Sequence, residues 1–255
     1  MKISALVLTR NEEELIGPCL AQLSFADEII VCDQNSTDKT CEIAQKYTKN
    51  IIRSNSDDFS QNRNLLAKQA KGDWLLYVDT DERLDHKLTS EIKEITASGS
   101  FAAFYIARKN IILGKWLRHG GWWPDYAPRL FKKKSLIGWE GKVHETPKVD
   151  GEFGYLKIPL EHLTARSLSQ MFAKTIRWAH IEAELNLQAK SSPVSIMKIT
   201  KSILTEFFNR YFTKMGFWDG QIGLVQAIYH ALHQAIVLTY IWEMQNTTEK
   251  KHATS

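Results

Sequence analysis

The sequence is poor in the features that mark several large classes of protein. It has only three cysteines, Cys19, Cys32 and Cys41, with no CxxC pair and no cysteine–histidine spacing of the zinc-binding kind. A disulfide scaffold and a structural zinc module are therefore excluded, and buried thiols in a reducing compartment are expected. There is no glycine-rich phosphate cradle, neither G-x-G-x-x-G behind the first apolar run nor GxxxxGKS/T anywhere. This disfavours a dinucleotide fold, a P-loop NTPase and nucleotidyl transfer through a basic glycine loop. The net charge is only +4, which argues against a nucleic-acid coat while permitting a basic face toward phosphates or an anionic membrane. The opening MKISALVLTRNEEEL turns acidic directly after its apolar run, so no cleavable leader is expected.

What remains is a globular composition, 44% hydrophobic and 24% charged over 255 residues. Short apolar runs at 3–8, 27–33, 51–53 and 74–79 read as strands. Amphipathic stretches lie between them. The first, around Leu15–Leu23, contains Pro18. The second has Ser36 or Thr37 as its N-cap, and the third has Ser60 as its cap and Gly72 as its stop. Strands alternating with helices predict a parallel sheet with helices on both faces and ligands outside the carboxyl ends of its strands. That places the loops after residues 8, 33 and 78 along one rim. Beyond residue 100 strands and turns dominate, and helices are expected at 167–190, 193–214 and 219–246. The domain organisation is thus 1–165, a helical region 166–246 and a frayed tail 247–255.

Residues 222–242 carry no formal charge, and their length would admit a membrane span. Gln226, His230, His233 and Gln234 recur at helical spacing and form one polar face, however, so a buried or interface-lying amphipathic helix is expected and not a span. Before it, Lys198, Lys201, Arg210 and Lys214 are interleaved with Phe207, Phe208, Tyr211, Phe212 and Trp218. That composition suits either an anionic membrane surface or ordinary helix packing.

The fourth strand, WLLYVD, runs into Asp79, Thr80, Asp81 and Glu82. Asp79 and Asp81 raise one another's pKa unless a cation or hydrogen-bond donors compensate. Mg²⁺ or Mn²⁺ is one remedy, taking one or two carboxylates and completing its shell with water and phosphate oxygens. A solvated acidic turn is the plain alternative.

Several elements in register resemble the family 2 inverting glycosyltransferases with the GT-A fold: Asp33, Ser36–Thr37–Asp38, Arg63–Asn64, Ala70, Gly72–Asp73 and Asp79–Thr80–Asp81. The segment GGWWPDYAPRLFKKKSLIGWEGKVHE and the later MGFWDGQIGL are similar to the subgroup containing lipopolysaccharide-core β-1,4-glucosyltransferases. The resemblance implies an α/β GT-A (Rossmann-like) sheet, mostly parallel, with a C-terminal helical extension. It also implies roles. Asp33 would recognise the nucleotide base, with Thr9, Asn11 and Glu12 or Glu13 in the first loop. Arg63 would lie near base and diphosphate, Asp79 on the sugar or ribose side, and Asp81 would bind Mg²⁺ or Mn²⁺. Asp125 is the expected base, with Glu140 and Glu145 as competitors, since WPD has one carboxylate where the subgroup usually has two. His144 would complete the metal shell or touch the diphosphate. Arg129 would fix the diphosphate or pair with a carboxylate. Trp122, Trp123 and Trp139 would stack on a sugar or pack in the core.

By the same resemblance the donor is a UDP-hexose, foremost UDP-glucose. The acceptor is a glycolipid or lipid-linked glycan of the lipopolysaccharide core or another surface glycan. The location is cytoplasmic, peripheral at the anionic inner face of the cytoplasmic membrane, and no nucleic-acid partner is expected. A membrane-associated nucleotide-sugar-binding module or inactive transferase is the alternative.

Overall fold

The computed structural model describes residues 1–141, 145–189 and 192–253. The chain divides into two compact units, residues 1–109 with 125–163, and residues 110–124 with 164–255.

The first unit opens with the expected alternation. Strands β1 (Ile3–Thr9), β2 (Glu28–Asp33), β3 (Ile51–Arg53) and β4 (Trp74–Asp79) are separated by helices α1 (Ile16–Ala21), α2 (Thr40–Ala44) and α3 (Phe59–Gln69). Parallel pairing in the order β3-β2-β1-β4 puts Thr9 beside Asp33 and Leu8 beside Asp79, so three strand ends share one rim. Past β4 come β5 (Glu82–Arg83), α4 (His86–Ser98), β6 (Ala103–Ile112), β7 (Lys115–Trp116), β8 (Tyr126–Lys132), β9 (Leu136–Glu140), β10 (Thr146–Val149), β11 (Phe153–Tyr155) and β12 (Leu160–Ala165). The sheet continues from β4 through β8, β6, β12 and β5 with largely antiparallel pairing. It is therefore mixed: β1 to β4 pair in parallel, and off the main path β11 pairs in parallel with β6.

Some local details differ from the sequence expectation. Helix α2 starts only at Thr40, because Ser36 and Thr37 bond to Asn11 instead of capping it. Asp58, rather than Ser60, caps α3 by accepting the N–H groups of Ser60 and Gln61. Gly72 is needed for close approach: a Cβ there would lie 2.7 Å from the Ser4 nitrogen. Helix α4 is an element the sequence reading passed over. Its signals were present in Asp85, which accepts the Leu88 N–H, the apolar pair Leu88 and Ile92, and left-handed Gly99.

Two hydrophobic layers flank the sheet. One gathers Ile16, Leu20, Val31, Leu76, Leu88 and Ile92. The other gathers Leu66, Leu75, Tyr77, Phe131 and Trp139. Tyr77, Phe131 and Trp139 pack edge to face with centroids 5.1–5.7 Å apart. Trp139 is thus a core residue. Cys19 and Cys32 are buried and Cys41 is half-buried, all as free thiols.

The second unit is built on helices α5 (Leu168–Gln188), α6 (Ile196–Phe208) and α7 (Gly220–Ala253), with a π turn at Asn209–Thr213 and a 3-10 turn at Gly216–Asp219. Helix α7 runs into the segment expected to be frayed. Ala179, Ala183, Val194, Val237 and Ile241 form its main core. Ile112, Leu117, Ala165 and Met171 form a second cluster against which Trp122 packs. Of the residues expected to share one polar face of α7, Gln226 is buried and the His230 ring packs on Trp122. Leu224, Ile228 and Leu232, one turn apart from each other, are exposed instead. Residues Gly216–Thr247 are long and apolar enough to cross a membrane, with a mean hydropathy of 1.3.

Candidate active site

The first loop is held to the second by Asn11. At φ 52° its backbone is left-handed, a conformation asparagine tolerates better than most residues. The Asn11 N–H donates to Ser36 Oγ, and its side-chain oxygen accepts the Thr37 N–H. Asp33 Oδ2 accepts the Ser36 N–H, and the Glu12 N–H donates to Thr40 Oγ1. Asn11 and Glu12 therefore shape the loop through these bonds. Where the loop closes over β1 and β2, two buried oxygens are left without a partner among the described residues: Thr9 Oγ1 and Asp33 Oδ1. A buried unpaired acceptor on a carboxylate is unfavourable unless a ligand donor fills it.

Next along the rim is an ion network. Asp79 bonds to Arg63 Nη2 at 3.2 Å and also to Arg129 Nη2. Arg129 donates to Glu82 Oε1 at 2.7 Å from Nη2 and 3.1 Å from Nε. Glu82 Oε2 accepts the Asp79 N–H at 3.0 Å, and its side chain is wholly buried. Arg63 also pairs with Glu145 at 3.0 Å, and its guanidinium lies 4.9 Å from the Trp139 ring centroid. Arg63 and Arg129 are thus committed to carboxylates, the second of the two roles expected for Arg129. Glu145 is committed to Arg63. Burial pushes the Asp79 carboxyl up, but Arg129 and Arg63 outweigh it and hold it well below the ordinary range. Burial pushes Glu82 up, and the Arg129 charge only partly offsets this.

Asp81 is paired with His162. Its Oδ2 lies 3.3 Å from His162 Nε2, and its side chain is 24% exposed. Ligands in adjacent positions on an octahedral Mg²⁺ at about 2.1 Å stand roughly 3 Å apart. One carboxylate and one imidazole at this separation are donors that would suit a divalent ion. No third His, Cys, Asp or Glu joins them among the described residues. His144, the histidine expected to serve the metal, lies outside the described residues. Asp125 is held by Arg108 through two bonds of 3.0 Å, from Nε and Nη2, and its carbonyl accepts the Arg108 N–H. Glu140 is exposed and pairs with Lys148. Glu82, Arg108 and His162 were not singled out in the sequence. Glu82 follows Asp81 directly, whereas His162 comes into place only through the antiparallel register His162↔Glu82.

An open α/β sheet with unfilled oxygens, carboxylates and arginines at the carboxyl ends of its strands is a ligand-binding sheet of the nucleotide-binding type. The family model for glycosyl transferase family 2 matches residues 4–147, more than half of the 255 residues, and the chain belongs to that family. It is 23% identical over 259 residues to the lipopolysaccharide core biosynthesis glycosyltransferase LpsC of Rhizobium meliloti, covering 95% of this chain and 93% of LpsC. It is 25% identical over 265 residues to the uncharacterized glycosyltransferase RC0292 of Rickettsia conorii, covering 95% and 90%. Among solved structures it is similar to S. aureus TarS 1–349 in complex with UDP, with a TM-score of 0.48 and 17% identity, covering 97% of this chain and 92% of that one.

Proposed function

We propose that the protein transfers a hexose from a UDP-sugar, foremost UDP-glucose, with inversion, to a saccharide of the lipopolysaccharide core or another bacterial surface glycan. The observation that carries this reading is the pair of unfilled buried oxygens, Thr9 Oγ1 and Asp33 Oδ1, on the same rim as the Asp81–His162 pair. Asp33 and Thr9 accept hydrogen bonds from the nucleoside. Asp81 and His162 would hold Mg²⁺ or Mn²⁺, which when bound neutralises charge developing on the departing diphosphate. The Arg63–Asp79–Arg129–Glu82 network fixes the loop that carries Asp81. Asp125, oriented by Arg108, takes the proton from the acceptor hydroxyl as that oxygen bonds to the anomeric carbon and the bond to diphosphate breaks. The full-length likeness to LpsC supports a core-saccharide acceptor.

The second unit supports a location at the anionic inner face of the cytoplasmic membrane, where a lipid-linked acceptor is available. Met197, Leu204 and Phe208 are exposed on one side of α6, which also carries Lys201. Helix α7 shows apolar residues outward and Gln226 inward, the reverse of a helix facing water.

The test is a screen of nucleotide sugars for UDP release with Mg²⁺ or Mn²⁺. Release from one UDP-hexose is expected. No release from any nucleotide sugar with either ion would overturn the reading.

A further inference from the structure

Within the second unit, a histidine is presented to solvent by a buried carboxylate. Asp219, at the end of the turn Gly216–Asp219, is only 4% exposed. Its Oδ2 accepts the backbone N–H groups of Arg118 at 3.1 Å and His119 at 2.8 Å, and Lys115 Nζ donates to its carbonyl. Its other oxygen, Oδ1, stands 3.1 Å from His119 Nδ1. With Asp219 accepting, the Nδ1 proton is fixed and Nε2 is left as the acceptor. The His119 side chain is 34% exposed and makes no other bond with the described residues. The two backbone N–H bonds already secure the segment whatever side chain stands at 119. The ring bond therefore serves orientation of the imidazole rather than the fold.

Beside this ring lies Trp218, 68% exposed, with centroids 6.3 Å apart and planes tilted by 32°. In the same segment the Arg118 guanidinium stacks 4.1 Å from the Trp116 ring centroid and has no carboxylate partner among the described residues. Trp123 meets Trp116 edge-on at 5.4 Å. An exposed indole offers a face for sugar C–H groups, an oriented imidazole offers a hydroxyl partner, and an unpaired guanidinium offers an anion partner.

We propose that His119, Asp219 and Trp218, with Arg118, form a saccharide-binding site selective for sugars that carry a negative charge, either phosphate or carboxylate. The site rests on the glycosyl-transfer reading for its biological meaning, as a hold on the acceptor glycan. Binding is therefore measured without donor or metal, so its failure leaves the transfer reading standing.

The experiment records the histidine side-chain ¹⁵N–¹H spectrum of the full-length protein, with His119 assigned by its loss in His119→Gln. Glucose 6-phosphate, glucuronate, methyl glucoside and inorganic phosphate are added separately. The His119 signal should show the Nδ1–H tautomer and shift with millimolar glucose 6-phosphate, glucuronate or both, and the difference between these two arms identifies the anion. Methyl glucoside and inorganic phosphate should shift it at least tenfold less. Trp218→Ala, at an exposed position, should weaken the shift at least fivefold. No shift with either anionic sugar, or an equal shift with inorganic phosphate, would overturn the site. So would a Trp218→Ala variant that binds the sugars normally but loses association with anionic vesicles, which would assign Trp218 to a membrane face.

Discussion

Glu82 and Arg129 meet in the interior of the first unit, carboxylate to guanidinium at 2.7 Å, with the Glu82 side chain wholly buried and that of Arg129 5% exposed. The same arginine reaches Asp79, so one cation organises two carboxylates of the strand end. Removing Arg129 leaves the wholly buried Glu82 without its cation, while Asp79 keeps only Arg63. Arg129→Met is expected to destabilise the protein by about 3–5 kcal/mol, read as a fall in the melting temperature. Arg129→Lys should recover part of it, since one ammonium cannot match the fork of Nε and Nη2.

The two carboxylates should respond oppositely to pH. Glu82 is raised by burial above its ordinary 4.5, so its contribution is fully present below that value and is lost as the pH rises through its folded value. Asp79 is lowered below 3.8, so its contribution is present above that value and lost as the pH falls through its folded value. Glu82→Gln should therefore lose the decline above pH 4.5 while keeping the decline at acid pH. Melting temperatures followed across this range in wild type and variant check both signs.

Asp33→Ala should weaken UDP binding about tenfold to hundredfold, corresponding to the roughly 1.5–3 kcal/mol of a hydrogen bond to a charged group. The change also removes Oδ2, which accepts the Ser36 N–H, so a modest fall in melting temperature is expected beside the loss of UDP binding. Calorimetric titration with UDP, alongside thermal melting, separates the two effects.

Much of this site was legible because its parts are local in sequence. Asp33, Asp79 and Asp81 follow apolar runs whose parallel alternation brings strand ends together, so their common rim followed from the pattern. Gln226 and His230 show the limit of periodicity: their helical spacing was clear, but which side of α7 faced the interior depends on Trp122 and Met171, far away in the chain. The same holds for His162, brought to Asp81 by strand register, and for Arg108, whose partner Asp125 lies across an antiparallel pair. The arginines Arg63 and Arg129 looked like phosphate ligands by type, and only the geometry showed carboxylates already in place.

Asp125→Asn should lower kcat about 10²–10⁴-fold, the usual contribution of a positioned base, with the donor KM nearly unchanged. Steady-state kinetics with a core-type saccharide acceptor checks this. Loss of donor binding instead would move Asp125 from the acceptor side to the donor side.

Flotation with vesicles tests the membrane face. Wild type should rise with vesicles containing anionic lipid and remain below with neutral ones. Leu204→Glu combined with Phe208→Glu, both at positions 60% exposed, should abolish flotation while the protein stays folded.

The most direct test of the donor site is calorimetry of UDP binding with and without Mn²⁺ in wild type and Asp81→Ala, coupled to UDP release from the hexose donor. Mn²⁺ should strengthen UDP binding in wild type, and both that gain and UDP release should vanish in Asp81→Ala. Metal-independent release at the wild-type rate in Asp81→Ala would contradict the assignment of Asp81 to the diphosphate and its metal.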